Sequence, residues 1–142
     1  MTIYLDASVL VSLLVDDANT DAARHLNRSM PLVAVSQWTL VECSSAFAKL
    51  SRMGRLTSQE QAELDEALDR WASRGPRVVP VSPDDFEASR RFVRNSRSGL
   101  RASDALHLAV SAREALAIAT FDFVLTRAAE EFGVEIAEIP SH

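Results

Sequence analysis

Three aspartates in this chain stand where a carboxylate can do chemistry. Asp6 closes the apolar run TIYL and opens ASVLVSLL; Asp122 follows LAIAT by one residue and opens FVLTRAAEEF; Asp104 lies at the start of the apolar helical stretch RASDALHLAVSAREAL. Each has an ordinary local role. Aspartate is a preferred N-cap, worth about 1 kcal/mol, which suits Asp6 and Asp122. An acid in a first helical turn complements the helix dipole, which suits Asp104. Three together imply more. Carboxylates brought to one edge repel one another, burial raises their pKa values, and a divalent cation relieves the conflict. Magnesium takes oxygen ligands, keeps waters, and needs only one or two direct carboxylates plus a substrate phosphate. The histidines His25, His107 and His142 share no zinc-type spacing. His107 therefore reads as a helix-face residue, on a narrow polar stripe with Asp104, Ser111 and Glu114.

The elements that must position these acids alternate along the chain. Runs at 2–5, 32–35, 77–81, 116–120 and 134–139 are rich in β-formers and predict strands. Between them, helical periodicity covers 7–15, 18–28, 37–53, 57–74, 83–97, 101–115 and 122–132. Thr57 with Glu60 forms a capping box, and Ser82 before Pro83 gives an N-cap with proline at N1. Gly54, Gly75 and Gly133 fit helix C-termini. Strands with continuous apolar character, separated by helical crossovers, predict a mostly parallel sheet covered on both faces, a three-layer α/β/α sandwich. In such a sheet ligands gather beyond the carboxyl ends of the strands, where Asp6 and Asp122 fall. The helix pair within 37–74 is expected to project.

Composition sets the outer bounds. With 142 residues, 47% of them hydrophobic, the chain suits one compact domain over 1–142. The single cysteine, Cys43, excludes a disulfide framework and a cysteine-based metal site. The N-terminus lacks a basic leader, and the run VLVSLLV is far shorter than the roughly 20 residues of a membrane span. A soluble, cytoplasmic protein is the expectation.

Charge is distributed unevenly. The net charge is −5, yet Arg90, Arg91, Arg94, Arg97 and Arg101 fall within SRRFVRNSRSGLR, directly before the Asp104 helix. Arginine's planar fork suits phosphate, so this stretch is a candidate phosphate-binding segment. The alternative is a solvated face whose arginines pair with Asp84, Asp85 and Glu87, at about 0.3 kcal/mol per pair.

The pattern YLDAS, WTLVECSSA, LRASDALHLA and TFD resembles the PIN-domain nucleases, and most nearly the VapC-type toxins of bacterial toxin–antitoxin pairs. The resemblance spans the chain. It implies four acidic positions, Asp6, Glu42, Asp104 and Asp122, holding magnesium or manganese for RNA hydrolysis, with Ser8 and Thr120 supporting the site. It is the resemblance that selects Glu42; by periodicity alone this residue sits on a polar stripe with Ser45, Lys49 and Arg52. In TFDFVL no further acid follows Asp122, so a ligand that some relatives add there is missing. Asp6 and Asp104 are cast as principal ligands, Asp122 and Glu42 as outer or second-ion ligands. The resemblance further implies a homodimer and a small antitoxin that wraps the apolar 37–74 region and blocks the acids.

Two other classes compete. A haloacid-dehalogenase-like phosphatase would need an acid where Ser8 stands. A non-catalytic PIN-fold module for RNA or protein binding would keep the fold, yet it would retain a repelling cluster at a cost in stability.

Overall fold

The computed structural model describes residues 2–29 and 32–140. His142 lies outside the described residues. Eleven elements follow in the order β1 (Thr2–Leu5), α1 (Ala7–Leu14), α2 (Thr20–Ser29), β2 (Leu32–Ser36), α3 (Gln37–Arg52), α4 (Ser58–Ala72), β3 (Arg77–Val79), α5 (Pro83–Asn95), α6 (Ala102–Glu114), β4 (Ala117–Ala119) and α7 (Phe123–Glu131). The four strands form one parallel sheet in the order β3-β2-β1-β4. This is the three-layer α/β/α architecture that the alternation predicts.

Alternate residues of each strand serve opposite faces, which explains the continuous apolar runs. Ile3, Leu5, Val33 and Val35 pack with Val9 and Leu10 of α1, Leu26 of α2, Phe47 of α3 and Leu68 of α4. Tyr4, Ala34, Val79 and Ile118 point the other way, onto Leu108 of α6 and Leu125 of α7. Of the apolar residues in the 37–74 pair, Phe47 and Leu68 are core and Leu64 and Trp71 pack against it, whereas Met53 at the turn is exposed. The capping box expected at Thr57 forms, and the N-cap expected at Ser82 forms with Asp85 completing a capping box there too. Gly54 and Gly133 adopt φ of +76° and +71°, the left-handed geometry that ends a helix.

Two strand expectations need correction. The run 77–81 pairs only over Arg77–Val79, because Pro80 has no N–H to continue the ladder. The run 134–139 is not a strand of the sheet. Its backbone brackets one residue, with Ile118 N donating to Glu135 O and Ala137 N to Ile118 O, leaving a single parallel bridge at Ile136. The second helix begins at Thr20 rather than 18.

Register decides where the acids go. Leu5 pairs with Ala119 across β1 and β4, and Asp6 N still donates to Ala119 O at 3.2 Å. Asp6 and Thr120 therefore emerge side by side at the carboxyl edge of adjacent strands.

Candidate metal centre

Asp6 caps α1 and is 3% exposed. Its Oδ1 accepts from Ser8 Oγ at 2.7 Å and Val9 N at 3.2 Å, and its Oδ2 accepts from Thr120 Oγ1. Burial pushes the Asp6 carboxyl above its ordinary pKa, and the Ser8 and Thr120 hydrogen bonds oppose that rise. Thr120 also accepts the backbone N–H of Asp122 at 2.9 Å, and Ser8 accepts that of Phe121 at 3.0 Å. Both hydroxyls thus tie Asp6 to the loop after β4. Asp122 caps α7 through Oδ1, which accepts from Val124 N and Leu125 N.

Asp104 occupies the first turn of α6 and is half-buried. Its pKa is pushed up to about 6, first by burial, then by the negative charges of Asp122 and Asp6, with Glu42 adding a smaller push and His107 opposing. Four acids from four elements therefore share one electrostatic neighbourhood, and their coupling follows from the fold.

Glu42 is the residue that periodicity misplaces. It is partly buried rather than solvated, and Oε1 is hydrogen-bonded to Nε2 of His107. His107 is itself 1% exposed, and its Nδ1 lies 2.6 Å from the Tyr4 hydroxyl. The polar stripe expected on α6 is therefore not a solvent face: every residue from Ala105 to Ser111 is buried. Sequence reasoning read His107 as a helix-face residue and passed over Tyr4, Ser36 and Thr39. One signal was present, a histidine flanked by leucines within a helix apolar on most sides, where burial demands partners for both ring nitrogens.

Among the described residues, no three His, Cys, Asp or Glu side chains are drawn together tightly enough to hold an ion by themselves. The donor set nevertheless fits a hard cation that keeps its waters. All four acids are oxygen donors. Asp122 Oδ2, Glu42 Oε2 and the Asp104 carboxylate accept no hydrogen bond from the described residues and are free to take a hydrated ion.

The five arginines fall on α5, which carries Arg90, Arg91 and Arg94, and on the link that follows it, which carries Arg97 and Arg101; all five are exposed. The pairing with Asp84, Asp85 and Glu87 does not form among the described residues. Asp85 is buried and taken by Arg113, with Nε to Oδ1 at 2.8 Å and Nη2 to Oδ2 at 3.0 Å. Arg90 and Arg94 edge a groove of about 530 Å³ floored by Trp38, Phe86, Val93 and Leu106. Trp38 Nε1 donates to Ser103 O at 3.2 Å, so the groove reaches the residue before Asp104.

A parallel α/β sandwich with coupled acids beyond the carboxyl ends of adjacent strands defines the class: an α/β protein whose acidic edge suits a divalent cation. Residues 3–131 match the PIN domain, and the chain belongs to that family. No curated protein matches the chain by sequence. Among solved structures it is similar to Mycobacterium tuberculosis VapC20, described as a sarcin–ricin loop cleaving toxin, at 23% identity and TM-score 0.75, covering 97% of this chain and 99% of that one. FitAcB from Neisseria gonorrhoeae gives 21% identity and TM-score 0.72, covering 97% of each chain. VapBC2 from Rickettsia felis, bound to a promoter DNA fragment, gives 15% identity and TM-score 0.73, covering 99% of this chain and 100% of that one. Among the described residues no helix is long and apolar enough to cross a membrane.

Proposed function

We propose that the chain is a divalent-metal-dependent endoribonuclease, the toxin of a toxin–antitoxin pair. The observation that carries this reading is the placement of Asp104 within the field of Asp122, Asp6 and Glu42 inside a PIN domain. Asp6 and Asp104 hold the magnesium or manganese ion, with Asp122 and Glu42 as outer or second-ion ligands. When bound, the ion polarises the scissile phosphoryl oxygen and lowers the pKa of a bound water. Ser8 and Thr120 keep Asp6 aimed at the edge and offset part of the rise in pKa that its burial causes. The exposed arginines of 90–101 hold the flanking RNA phosphates, which arginine's paired donors suit.

The partner is an antitoxin, as the relatives of similar fold occur in VapBC and FitAB pairs. A second groove, of about 410 Å³, runs past Ser8, Val11, Asp17, Glu42 and Phe121 and offers it a path to the acids. A homodimer completes the assembly.

The test is cleavage of total RNA with and without magnesium, read by sequencing new 5′ ends. Wild-type protein cuts only with the metal, and Asp6→Asn or Asp104→Asn abolishes cutting while circular dichroism stays native. An Asn variant of either aspartate with full activity overturns the assignment.

A further inference from the structure

We infer that His107 is a positioning residue: its Nε2 fixes the Glu42 carboxylate relative to Asp104, and Tyr4 anchors the ring from behind. The inference rests on the reading of Glu42 as part of the ion-holding set.

Three elements close on one another here. Asp104 and His107 are three apart on α6 and share a face, so one helix delivers an acid directly and grips a second through the imidazole. The Tyr4 hydroxyl, on β1, lies 2.8 Å from Ser36 Oγ and 3.2 Å from Thr39 Oγ1. Those two residues form the capping box of α3, the helix that carries Glu42. Tyr4 is fully buried, and its hydroxyl lies within hydrogen-bond distance of Ser36, Thr39 and His107, which makes it a fixed anchor. The relay runs from the start of α3, through Tyr4 and His107, back to Glu42 further along the same helix. Glu42 alone among these side chains is partly exposed.

A core role by itself would not need this arrangement. Buried polar relays are costly unless every member is paired, and here both ring nitrogens are used. Glutamate has three rotatable bonds; a partner that holds one carboxylate oxygen before the ion arrives removes that ordering from the binding step and leaves Oε2 to face it. Histidines and carboxylates that orient metal ligands are worth about 10–100-fold in affinity or activity when lost.

Manganese calorimetry on metal-free protein, alongside RNA cleavage, tests this in variants of His107, Glu42 and Tyr4, with Asp6→Asn and Asp104→Asn for comparison. His107→Asn loses the reach to Glu42, and it is expected to bind manganese about 10–100-fold more weakly and to lose kcat with KM unchanged. His107→Gln places an amide N–H near the Nε2 position and restores part of the loss. Adding His107→Asn to Glu42→Gln changes nothing beyond Glu42→Gln alone. A folded His107→Asn protein with wild-type affinity, or an equal further loss in the Glu42→Gln background, overturns the inference. Should His107→Asn not fold, Tyr4→Phe removes one hydroxyl and keeps the ring; a smaller loss in the same direction supports the role, and wild-type affinity refutes it. If Glu42→Gln binds and cleaves normally while Asp6→Asn is dead, the positioning role falls and the nuclease stands. If Asp6→Asn and Asp104→Asn both cleave normally, the nuclease reading itself falls.

Discussion

Thr120 donates its hydroxyl proton to Asp6, 114 residues earlier in the chain, and accepts the backbone N–H of Asp122 with the same oxygen. One buried hydroxyl thus joins two acids from neighbouring strands. Thr120→Val keeps the shape, removes the donor, and leaves both groups short of a partner. Such losses cost about 1–3 kcal/mol each way a buried group is orphaned. Urea denaturation should show a loss within that range, with most of it recovered in Thr120→Ser. An unchanged midpoint for the valine variant would mean that the hydroxyl does not hold the edge together.

The charge coupling at Asp104 gives a pH dependence with a defined sign. Its folded pKa of about 6 lies above the ordinary 3.8, so the native state binds its proton more firmly than the unfolded chain. The carboxyl carries no penalty below pH 3.8. As pH rises from there to about 6, folding must take up a proton and the metal-free protein loses stability. Melting temperatures across that window should fall more steeply for the wild type than for Asp104→Asn. Equal slopes would show that Asp104 is not electrostatically burdened.

Magnesium should relieve the same burden. At about 100-fold above its Kd, an ion that binds only the native state adds about 2.7 kcal/mol by mass action. A melt at neutral pH with and without magnesium separates a metal-dependent nuclease from a PIN-fold binding module. The first gains in melting temperature and loses the gain in Asp6→Asn; the second gains nothing.

The arginine segment is tested by salt. With Asp6→Asn to prevent cutting, RNA affinity should fall as salt rises, and each contacting arginine removed should reduce that slope by about one unit. Arg94→Ala and Arg97→Ala are the variants to compare. Slopes identical to the parent's would assign these arginines to solvent.

Asp85 and Arg113 supply a control distant from the acids in role. Asp85 is 1% exposed and its two oxygens are held by Arg113, Nε to Oδ1 and Nη2 to Oδ2. Removing one partner of a buried pair typically costs about 3–5 kcal/mol. Arg113→Met should destabilise toward the lower end, because the arginine side chain is itself partly exposed. Manganese affinity of the folded fraction should match the wild type, and a change there would link this pair to the site.

The sequence by itself determined the local features. Asp6 and Asp122 as caps, the box at Thr57, the N-cap at Ser82, and the alternation that demands a parallel sheet between helices all depend on residues within a few positions of one another. The motifs that resemble PIN domains also pointed to Glu42, which periodicity placed in solvent. Tertiary structure alone decided the rest. The order β3-β2-β1-β4 sets β1 beside β4, so that Asp6 meets Thr120, and no local preference encodes that adjacency. It also set His107, expected on a polar helix stripe, in the core against Tyr4 and Glu42, and gave Asp85 to Arg113 rather than to the nearby arginines. The physical reason is common to all three. Caps and periodicity are governed by the chain's own backbone over one or two turns, whereas strand order and cross-element pairs follow from which buried groups can satisfy one another once the layers close.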